Sequence, residues 1–315
     1  MVVIIFYNND SILRNDSMRM FNISASVGCH KGNKRKNNED NFYLNGEFKE
    51  DPNEKKNLFF NINTNDKIQV YAVCDGMGGG DLGEIASYIA VKILSKYQKE
   101  VFNYSGRITI EKHIDEYIED VNERICEVTS KLNKDCIGTT MALIIIYEDY
   151  MYIYNLGDSR IYFISKYEII QLSKDHTKAQ MLYKSGIISK DEMKSSPSKN
   201  ILTQYLGIST QNGNISPYKI LFRINKGDRF LICSDGVSDL LNDNEIENII
   251  RNSSTTDNAV SFIVDNSLLK GGIDNITALL IEIEGSKNEK ANKVIRCILL
   301  LTFLVITIIG INLLY

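Results

Sequence analysis

The chain of 315 residues contains no tryptophan, three prolines and three histidines, and its formal net charge is −4. A mildly acidic chain without a dense basic block is not expected to bind nucleic acid. Its six cysteines form no CxxC pair, so buried, reduced thiols are expected rather than a disulfide framework or a zinc site. An apolar fraction of 43% and a charged fraction of 24% exclude a wholly disordered, collagenous or multi-pass membrane chain.

The two ends of the chain differ in character. Residues 1–21 lack the basic start and the long apolar run of a signal peptide, and an N-terminal extension is expected there, as a stray β-strand or a loose start. From Cys297 to Tyr315 the chain is almost purely apolar, and as a helix this run would be about 28 Å long, close to the hydrocarbon thickness of a bilayer. We predict a polar linker over 285–294 and a single transmembrane helix over 295–315. A buried core helix is the alternative.

Basic residues stand on only one side of this apolar run. Lys287, Lys290, Lys293 and Arg296 precede it, and no basic residue follows it. Because basic residues favour the cytoplasmic side of a membrane helix, the preceding domain is expected at the cytoplasmic face of the cell membrane.

The body of the chain, residues 22–284, is predicted to be a single α+β domain. Helices are indicated by the apolar spacing around Ile85, Ile89 and Ile93 and by the three-and-four spacing over 110–132, with further helices at 243–251 and 257–270. The polar stretch 47–66 is expected to be a loop or insertion. Short apolar runs predict strands at 22–29, 41–45, 68–74, 140–147, 151–156, 160–164, 168–172, 219–224, 229–233 and 276–283. Runs of strands interrupted by helix pairs favour a layered α+β domain over strict βαβ alternation.

Aspartates recur at the ends of the predicted strands, usually beside glycine: Asp75-Gly76, Asp235, Asp158 and Asp274. A single Asp-Gly pair is most simply a turn. Several carboxylates at the ends of buried strands repel one another, and hard divalent cations neutralise such clusters through oxygen ligands. With no suitably spaced His or Cys, the expected ion is Mg²⁺ or Mn²⁺ rather than Zn²⁺.

A pair of such ions suits phosphoryl chemistry, because two ions can activate a water and clamp phosphoryl oxygens. A cation that binds phosphate is then expected nearby. Arg35, in the segment that ends in Glu39-Asp40, offers a planar bidentate fork for this purpose. A solvated basic loop is the alternative for this segment.

Eight motifs, in this order, resemble the PP2C family of metal-dependent Ser/Thr protein phosphatases in its compact bacterial form. They are Gly-Asn-Lys-Arg35-Lys-Asn-Asn-Glu39-Asp40, Asp75-Gly-Met-Gly-Gly79, Gly138-Thr-Thr140, Gly157-Asp-Ser-Arg160, Lys174-Asp-His-Thr177, Ile201-Leu-Thr203 with Leu206-Gly207, Ser234-Asp-Gly236 and Asp274-Asn-Ile-Thr277. The resemblance covers roughly residues 22–284 and implies an αββα four-layer sandwich with the metals at one end of the two sheets.

The resemblance also implies a role for each matched residue. Asp75 would bridge both metals and the Gly76 carbonyl would bind the second, directly or through water. Asp235 and Asp274 would complete the first metal site, and Asp158, with Asp235, a weaker third one. Glu39 and Asp40 would act through waters or by orienting ligands, and Arg35 would bind phosphate. Thr139, Thr140 and Asn275 would support the site through hydrogen bonds, with plain structural packing as the alternative.

Two positions depart from the family pattern. Met77 stands where animal members often have a candidate general-acid histidine, so the leaving group must take its proton from a metal-bound water or another group. His176 is a weak alternative donor, for which a local structural role is preferred. Gln204 stands where relatives often carry arginine, which affects flap packing or substrate contacts but removes no metal ligand.

The resemblance implies a phosphoserine and phosphothreonine phosphatase that uses a binuclear Mn²⁺ or Mg²⁺ centre to activate water, tethered at the membrane. Phosphorylated proteins and a Hanks-type Ser/Thr kinase are the expected partners. Two alternatives stay open, a catalytically inactive PP2C-like binding module and a phosphatase dedicated to one regulatory phosphoprotein. The presence of Asp75, Asp235, Asp274 and Arg35 argues against the inactive module.

Overall fold

The computed structural model describes residues 3–5, 21–54, 56–78, 82–134, 136–209 and 213–285. The predicted transmembrane helix, and the predicted linker beyond Gly285, lie outside these ranges. Within the described ranges, no helix is both long and apolar enough to cross a membrane.

The first β-sheet contains β6, which carries Asp75, and its neighbour β3, which carries Asp40. Its strand order is β1-β12-β9-β8-β6-β3-β4, with β7 paired to β6. The bounds are β1 Val3–Ile5, β3 Asp40–Leu44, β4 Glu47–Phe48, β6 Ile68–Gly78, β7 Ile137–Thr139, β8 Met141–Tyr147, β9 Tyr150–Leu156 and β12 Tyr218–Arg223. The expected N-terminal strand is present as β1, which adds to the edge of this sheet in parallel with β12.

The second β-sheet is antiparallel, in the order β11-β10-β13-β14-β2-β5. Its bounds are β2 Asn22–His30, β5 Leu58–Thr64, β10 Arg160–Ile164, β11 Ile169–Gln171, β13 Arg229–Cys233 and β14 Ile276–Gly285. The turn between β9 and β10 is one of several connections at which the chain passes from one sheet to the other. This turn carries Asp158.

Helices cover the outer face of each sheet. Their bounds are α1 Gly83–Glu100, α2 Ile110–Lys131, α3 Lys178–Lys184, α4 Lys190–Ser195, α5 Asp235–Ser238, α6 Asp243–Asn252 and α7 Thr256–Leu269. The predicted helices over 110–132, 243–251 and 257–270 are therefore confirmed to within two residues at each end. The region 174–216 holds the short helices α3 and α4, and we call it the flap.

Three apolar clusters define four layers. One packs α1 and α2 on the first sheet through residues such as Leu94, Tyr117 and Leu143. The second fills the space between the sheets, where Phe163, Phe222 and Phe230 stack. The third packs α6 and α7 on the second sheet. The αββα sandwich that the resemblance implies is present, and burial of both faces of each sheet explains the near-continuous apolar runs of its central strands.

Two details differ from the expectations. The polar stretch 47–66 is not simply a loop, because β5 pairs with β2 along Leu58–Thr64. Its side chains alternate between partly buried and exposed positions, with Leu58, Phe60 and Ile62 facing the core, and the many polar residues conceal this period of two. The buried face of α1 is built on Ala86, Ala90 and Leu94, whereas the predicted isoleucines lie only partly buried at its edge.

The cysteines among the described residues are free thiols. Cys29, Cys74 and Cys233 are buried in the strands, as expected for apolar runs, whereas Cys126 is half-buried and Cys136 is exposed, so the expectation of burial is wrong for these two. Cys297 falls outside the described ranges.

Candidate active site

Asp40 and Asp75 lie in the site on two neighbouring strands, β3 and β6. They are directly paired in the antiparallel register of β3 and β6, so their backbones face each other at the end of the first sheet. Asp75 was expected from the strand-end pattern of the sequence, and Asp40 from the family resemblance. The structure thus brings together two of the predicted carboxylates at the point where β6 leaves the sheet.

Two threonines hold the backbone of Asp75 in place. The Asp75 N–H donates to Thr140 Oγ1 at 2.9 Å, and the Asp75 carbonyl accepts from the Thr140 N–H at 2.8 Å and from Thr139 Oγ1 at 2.9 Å. Thr140 Oγ1 also contacts Ser159 Oγ at 2.7 Å. The supporting hydrogen bonds that the family resemblance implied for these threonines are present.

The carboxylate of Asp40 joins the two sheets. Its Oδ2 atom accepts from Ser234 Oγ at 2.8 Å and from Thr277 Oγ1 at 2.7 Å, both on the second sheet's side. Its Oδ1 atom is buried and has no hydrogen-bond partner among the described residues. An orphaned buried carboxylate oxygen is costly unless a cation or an ordered water completes it. Ser234 and Thr277 stood inside the quoted motifs, but the sequence did not indicate that they bind Asp40.

Close backbone packing requires glycine after Asp75 and after Asp235. A Cβ on Gly76 would lie 2.1 Å from the Gly83 carbonyl oxygen, and one on Gly236 would lie 1.9 Å from the Asn275 carbonyl oxygen. Any side chain at either position would force the backbone apart. The two glycines therefore allow the loops that carry the aspartates to approach α1 and the start of β14.

Asn275 and Asp274 bind the segment 31–39, which contains Arg35, to the site. The Asn275 Nδ2 atom donates to the carbonyls of Lys31 and Asn37, and its Oδ1 atom accepts from the Glu39 N–H at 2.8 Å. Arg35 Nη2 lies 2.7 Å from Asp274 Oδ2, and half of the Arg35 side chain is exposed. This ion pair is a contact that the motifs did not predict.

Asp158 lies in the turn between β9 and β10, directly after Gly157, whose φ of 92° favours glycine. Its neighbour Arg160 forms an ion pair with Asp175 at 2.7 Å. Burial and the charge of Asp175 raise the pKa of Asp158 to about 7.

Burial, together with repulsion between neighbouring carboxylates, raises the pKa values of this cluster. Burial, followed by the charges of Asp40 and Asp235, raises the pKa of Asp75 well above its ordinary value. Burial, followed by the charges of Asp158 and Asp274, does the same for Asp235. Burial raises the pKa of Asp40 to about 6 despite its two hydroxyl donors. Groups that disfavour one another's charge in this way are a recognised mark of a functional site.

Glu39 occupies the edge of this cluster, beside the start of α1. Burial and the charge of Glu84 raise its pKa to about 7, while Arg35 and a hydrogen bond from the Gly83 backbone act in the opposite direction. The Glu39 carbonyl accepts from the Gly76 N–H at 3.2 Å and from Ser87 Oγ at 2.6 Å. Glu39 is therefore positioned beside the Asp75-Gly76 loop by its backbone as well as by its charge.

His176 has a structural environment. Its backbone N–H donates to the Gly157 carbonyl and its backbone carbonyl accepts from the Thr203 N–H, which ties the two stems of the flap together. The buried Nδ1 atom of its imidazole has no hydrogen-bond partner among the described residues. Burial and the charge of Lys184 lower its pKa to about 4, so the imidazole is neutral at pH 7 and holds no proton ready for a leaving group. The local structural role preferred for this residue agrees with these contacts.

Gln204, the second departure from the family pattern, also makes structural contacts. Its side chain accepts from the Ser216 N–H at 2.7 Å and donates to the Asn214 carbonyl at 3.3 Å. It thereby ties the middle of the flap to the last residues of the flap, which lead into β12. Met77, at the other departure, lies against the backbone of Gly138, where an added Cβ would be 2.9 Å from the Met77 methyl.

The donor set fits a hard divalent cation. It consists of carboxylates and a backbone carbonyl, and it includes the orphaned Oδ1 atom of Asp40. In the described part of the chain, no three His, Cys, Asp or Glu side chains already stand as a closed ligand group. Mg²⁺ sites of this kind commonly use one or two carboxylates and keep several waters.

Comparison with known proteins agrees with the fold. The family profile described as Protein phosphatase 2C matches residues 57–268. The serine/threonine phosphatase Stp of Listeria monocytogenes is 32% identical over 218 residues, which make up 69% of this chain and 85% of that protein. The chain therefore belongs to the protein phosphatase 2C family, which confirms the resemblance of its motifs, and it is an enzyme of the protein phosphatase class.

Solved structures extend the likeness beyond the profile, which begins after Arg35 and ends before Asp274. The serine/threonine phosphatase Stp1 from Staphylococcus aureus superposes with a TM-score of 0.73 at 26% identity, covering 87% of this chain and 100% of its own. The catalytic domain of the phosphatase PstP, in complex with two manganese ions, has a TM-score of 0.67 at 23% identity, covering 84% and 99%. The latter likeness concerns the fold alone.

Proposed function

We propose that the chain hydrolyses phosphoserine and phosphothreonine in proteins with a binuclear Mn²⁺ or Mg²⁺ centre and a weaker third metal site. The observation that carries this is the convergence of carboxylates from separate segments, where burial and the charges of neighbouring carboxylates raise the pKa values of both Asp75 and Asp235. Such repulsion is relieved when divalent cations bind. The two manganese ions of PstP support the choice of metal.

The bound ions would lower the pKa of a water that attacks phosphorus and would neutralise the phosphate. In this assignment Asp75 would contribute to both ions, the Gly76 carbonyl to the second, and Asp235 and Asp274 to the first. Asp158 and Asp235 would hold the third. These are the same ligands that the motifs suggested.

The other residues of the site position the substrate and the ligands. Glu39 and Asp40 act through waters, and the hydroxyls of Ser234 and Thr277 fix the Asp40 carboxylate. Arg35 binds the phosphate through its guanidinium, which is accessible because half of the side chain is exposed. Its ion pair with Asp274 keeps the fork beside the cluster when no phosphate is bound.

We further propose that residues 295–315 hold this phosphatase at the cytoplasmic face of the cell membrane, where it opposes a Hanks-type Ser/Thr kinase. The support for the anchor is the apolar run from Cys297 to Tyr315 and the basic residues that precede it. The support for the kinase is the family resemblance. Phosphorylated proteins are the proposed substrate class, with or without the membrane anchor and the kinase partner.

The experiment that tests the reaction is phosphate release from a phosphothreonine peptide by the full chain. We expect activity with Mn²⁺ or Mg²⁺ and none after chelation. D235N should lower kcat by more than about 100-fold, because it removes a proposed metal ligand. Residues that only orient a ligand typically cost about 10–100-fold. D257N, at an exposed aspartate in the first turn of α7, is the matched control and should keep full activity. Activity that is indifferent to chelation would contradict the proposal, and an inactive wild type would favour the binding-module alternative.

A further inference from the structure

A cavity of about 660 Å³ adjoins the carboxylate cluster. It lies between the flap and the segment Ser238–Glu245. Asp158 and Asp235 belong to its wall, as do Lys190 and Lys194 of α4 and Lys174, which precedes α3. We call it the lysine cavity. Its volume is within the range of sites that enclose drug-sized ligands, and it shares Asp158 and Asp235 with the carboxylate cluster.

The formal charges on the wall balance, but half of the basic side chains are already engaged in ion pairs. Three ion pairs cross or edge the cavity, at 2.7, 2.6 and 2.6 Å: Arg160 with Asp175, Lys199 with Asp239, and Lys270 with Glu245. These pairs neutralise themselves and leave little charge for a ligand.

The remaining basic residues are unpaired. Lys174, Lys190 and Lys194 form no ion pair within the described ranges, and the Lys174 ammonium lies 4.4 Å from the centroid of the Tyr218 ring. The remaining acids are Asp158, Asp235 and Asp243. The first two are assigned to cations by the proposed function, and Asp243 lies in the first turn of α6, where the helix dipole offsets its charge. The loaded enzyme therefore carries a positive surplus in this cavity.

We propose that the lysine cavity binds an acidic segment of the substrate next to the phosphorylated residue, so that the enzyme prefers phosphosites flanked by Asp or Glu. The proposal rests on the proposed function of the adjoining site. Lys190 and Lys194 stand on one helix, and both are exposed, so a carboxylate can pair with either ammonium at little desolvation cost. Complementary charge of this kind favours one partner over another and speeds encounter.

The preference is measured with the full chain, Mn²⁺ and three phosphothreonine peptides: one neutral, one with acidic residues before the phosphosite and one with acidic residues after it. We expect one acidic peptide to show a kcat/KM about fivefold above the neutral peptide, through KM, as two exposed ion pairs imply. The advantage should shrink as salt rises, because exposed charges are screened.

Two double variants locate the effect. K190E/K194E should remove the acidic preference while changing kcat/KM on the neutral peptide less than twofold. K178E/K184E, on exposed lysines of α3 that do not line the cavity, should retain it. Equal kcat/KM for the three peptides overturns the proposal, and so does an equal loss in both double variants, which would reflect general surface charge.

The outcomes also separate this proposal from the proposed function. If none of the peptides is hydrolysed, the phosphatase assignment fails. Fluorescence anisotropy then measures binding of the same peptides and tests whether the lysine cavity binds acidic segments. Tighter binding of an acidic peptide by the wild type than by K190E/K194E supports it, and equal binding overturns it. Binding to phosphatidylserine vesicles that K190E/K194E alone loses, without any peptide preference, would assign the lysines to a membrane surface instead.

Discussion

Asp40 is paired with Asp75 across β3 and β6, and its carboxylate also accepts hydrogen bonds from Ser234 and Thr277 beside the second sheet. One side chain thus connects the two sheets at the end where the other carboxylates gather. Its second oxygen has no partner among the described residues. The residue is therefore both a structural link and a source of electrostatic strain.

Removing this buried charge is expected to stabilise the metal-free protein while harming the enzyme. At pH 7.5, D40N should raise the free energy of unfolding in EDTA by about 2 kcal/mol, because burial disfavours the ionised form. With Mn²⁺, its kcat should fall by about tenfold or more, as for other residues that orient ligands. Thermal denaturation and phosphate release measure the two effects. A lower Tm for D40N in EDTA would show that its hydrogen bonds outweigh the repulsion.

The metal-free protein should lose stability as pH rises. The folded-state pKa is raised to about 7 for Asp158 and Glu39 and to about 6 for Asp40, so the folded state binds more protons than the unfolded state between about pH 4 and pH 7. Stability then falls over this window as the groups ionise. Melting curves in EDTA from pH 5 to pH 7.5 should show the decline, and D158N should reduce it. A Tm that rises through this window in EDTA would refute the expectation.

Adding metal reverses the trend, because cations stabilise the ionised carboxylates. At pH 7.5, Mn²⁺ should raise the Tm of the wild type by several degrees, and D235N should show a much smaller rise. D257N serves here again as the matched control, since its aspartate lies away from the cluster. An equal rise in all three proteins would point to non-specific metal binding.

Thr140 is expected to matter through the backbone of Asp75. T140V leaves the Asp75 N–H without its acceptor and removes the contact with Ser159, which should cost about 1–3 kcal/mol of stability and about tenfold in kcat/KM. T129V is the matched control, because the Thr129 hydroxyl only donates to the Ile125 carbonyl within α2. If both variants lose the same activity, the positioning role of Thr140 is wrong.

Membrane association should depend on the C-terminal run. The full chain should sediment with membranes and resist alkaline carbonate, because about 20 apolar residues suffice to span a bilayer. A chain ending at Gly285 should stay in the supernatant with its phosphatase activity intact. Recovery of the full chain in the supernatant would contradict the anchor.

The sequence determined most of the strands, though not β4 or β7, as well as the long helices and the carboxylates that follow buried strands, because periodicity and strand-end Asp-Gly pairs are local signals. It did not reveal β5, whose alternation is hidden by polar residues, or the face of α1 that is buried. Nor could it show that Arg35 pairs with Asp274. Such contacts depend on segments that are distant along the chain.

Only the tertiary structure decided which groups share one electrostatic environment. The second sheet brings Ser234 and Thr277 to Asp40, and the flap brings Lys190 and Lys194 to a cavity shared with Asp158 and Asp235. The motifs specify the chemical groups, whereas burial, charge repulsion and pairing arise from distances that sheet register and layer packing set. The sequence therefore predicted the chemical groups of the site, and the fold determined their burial, their pKa shifts and their ion pairs.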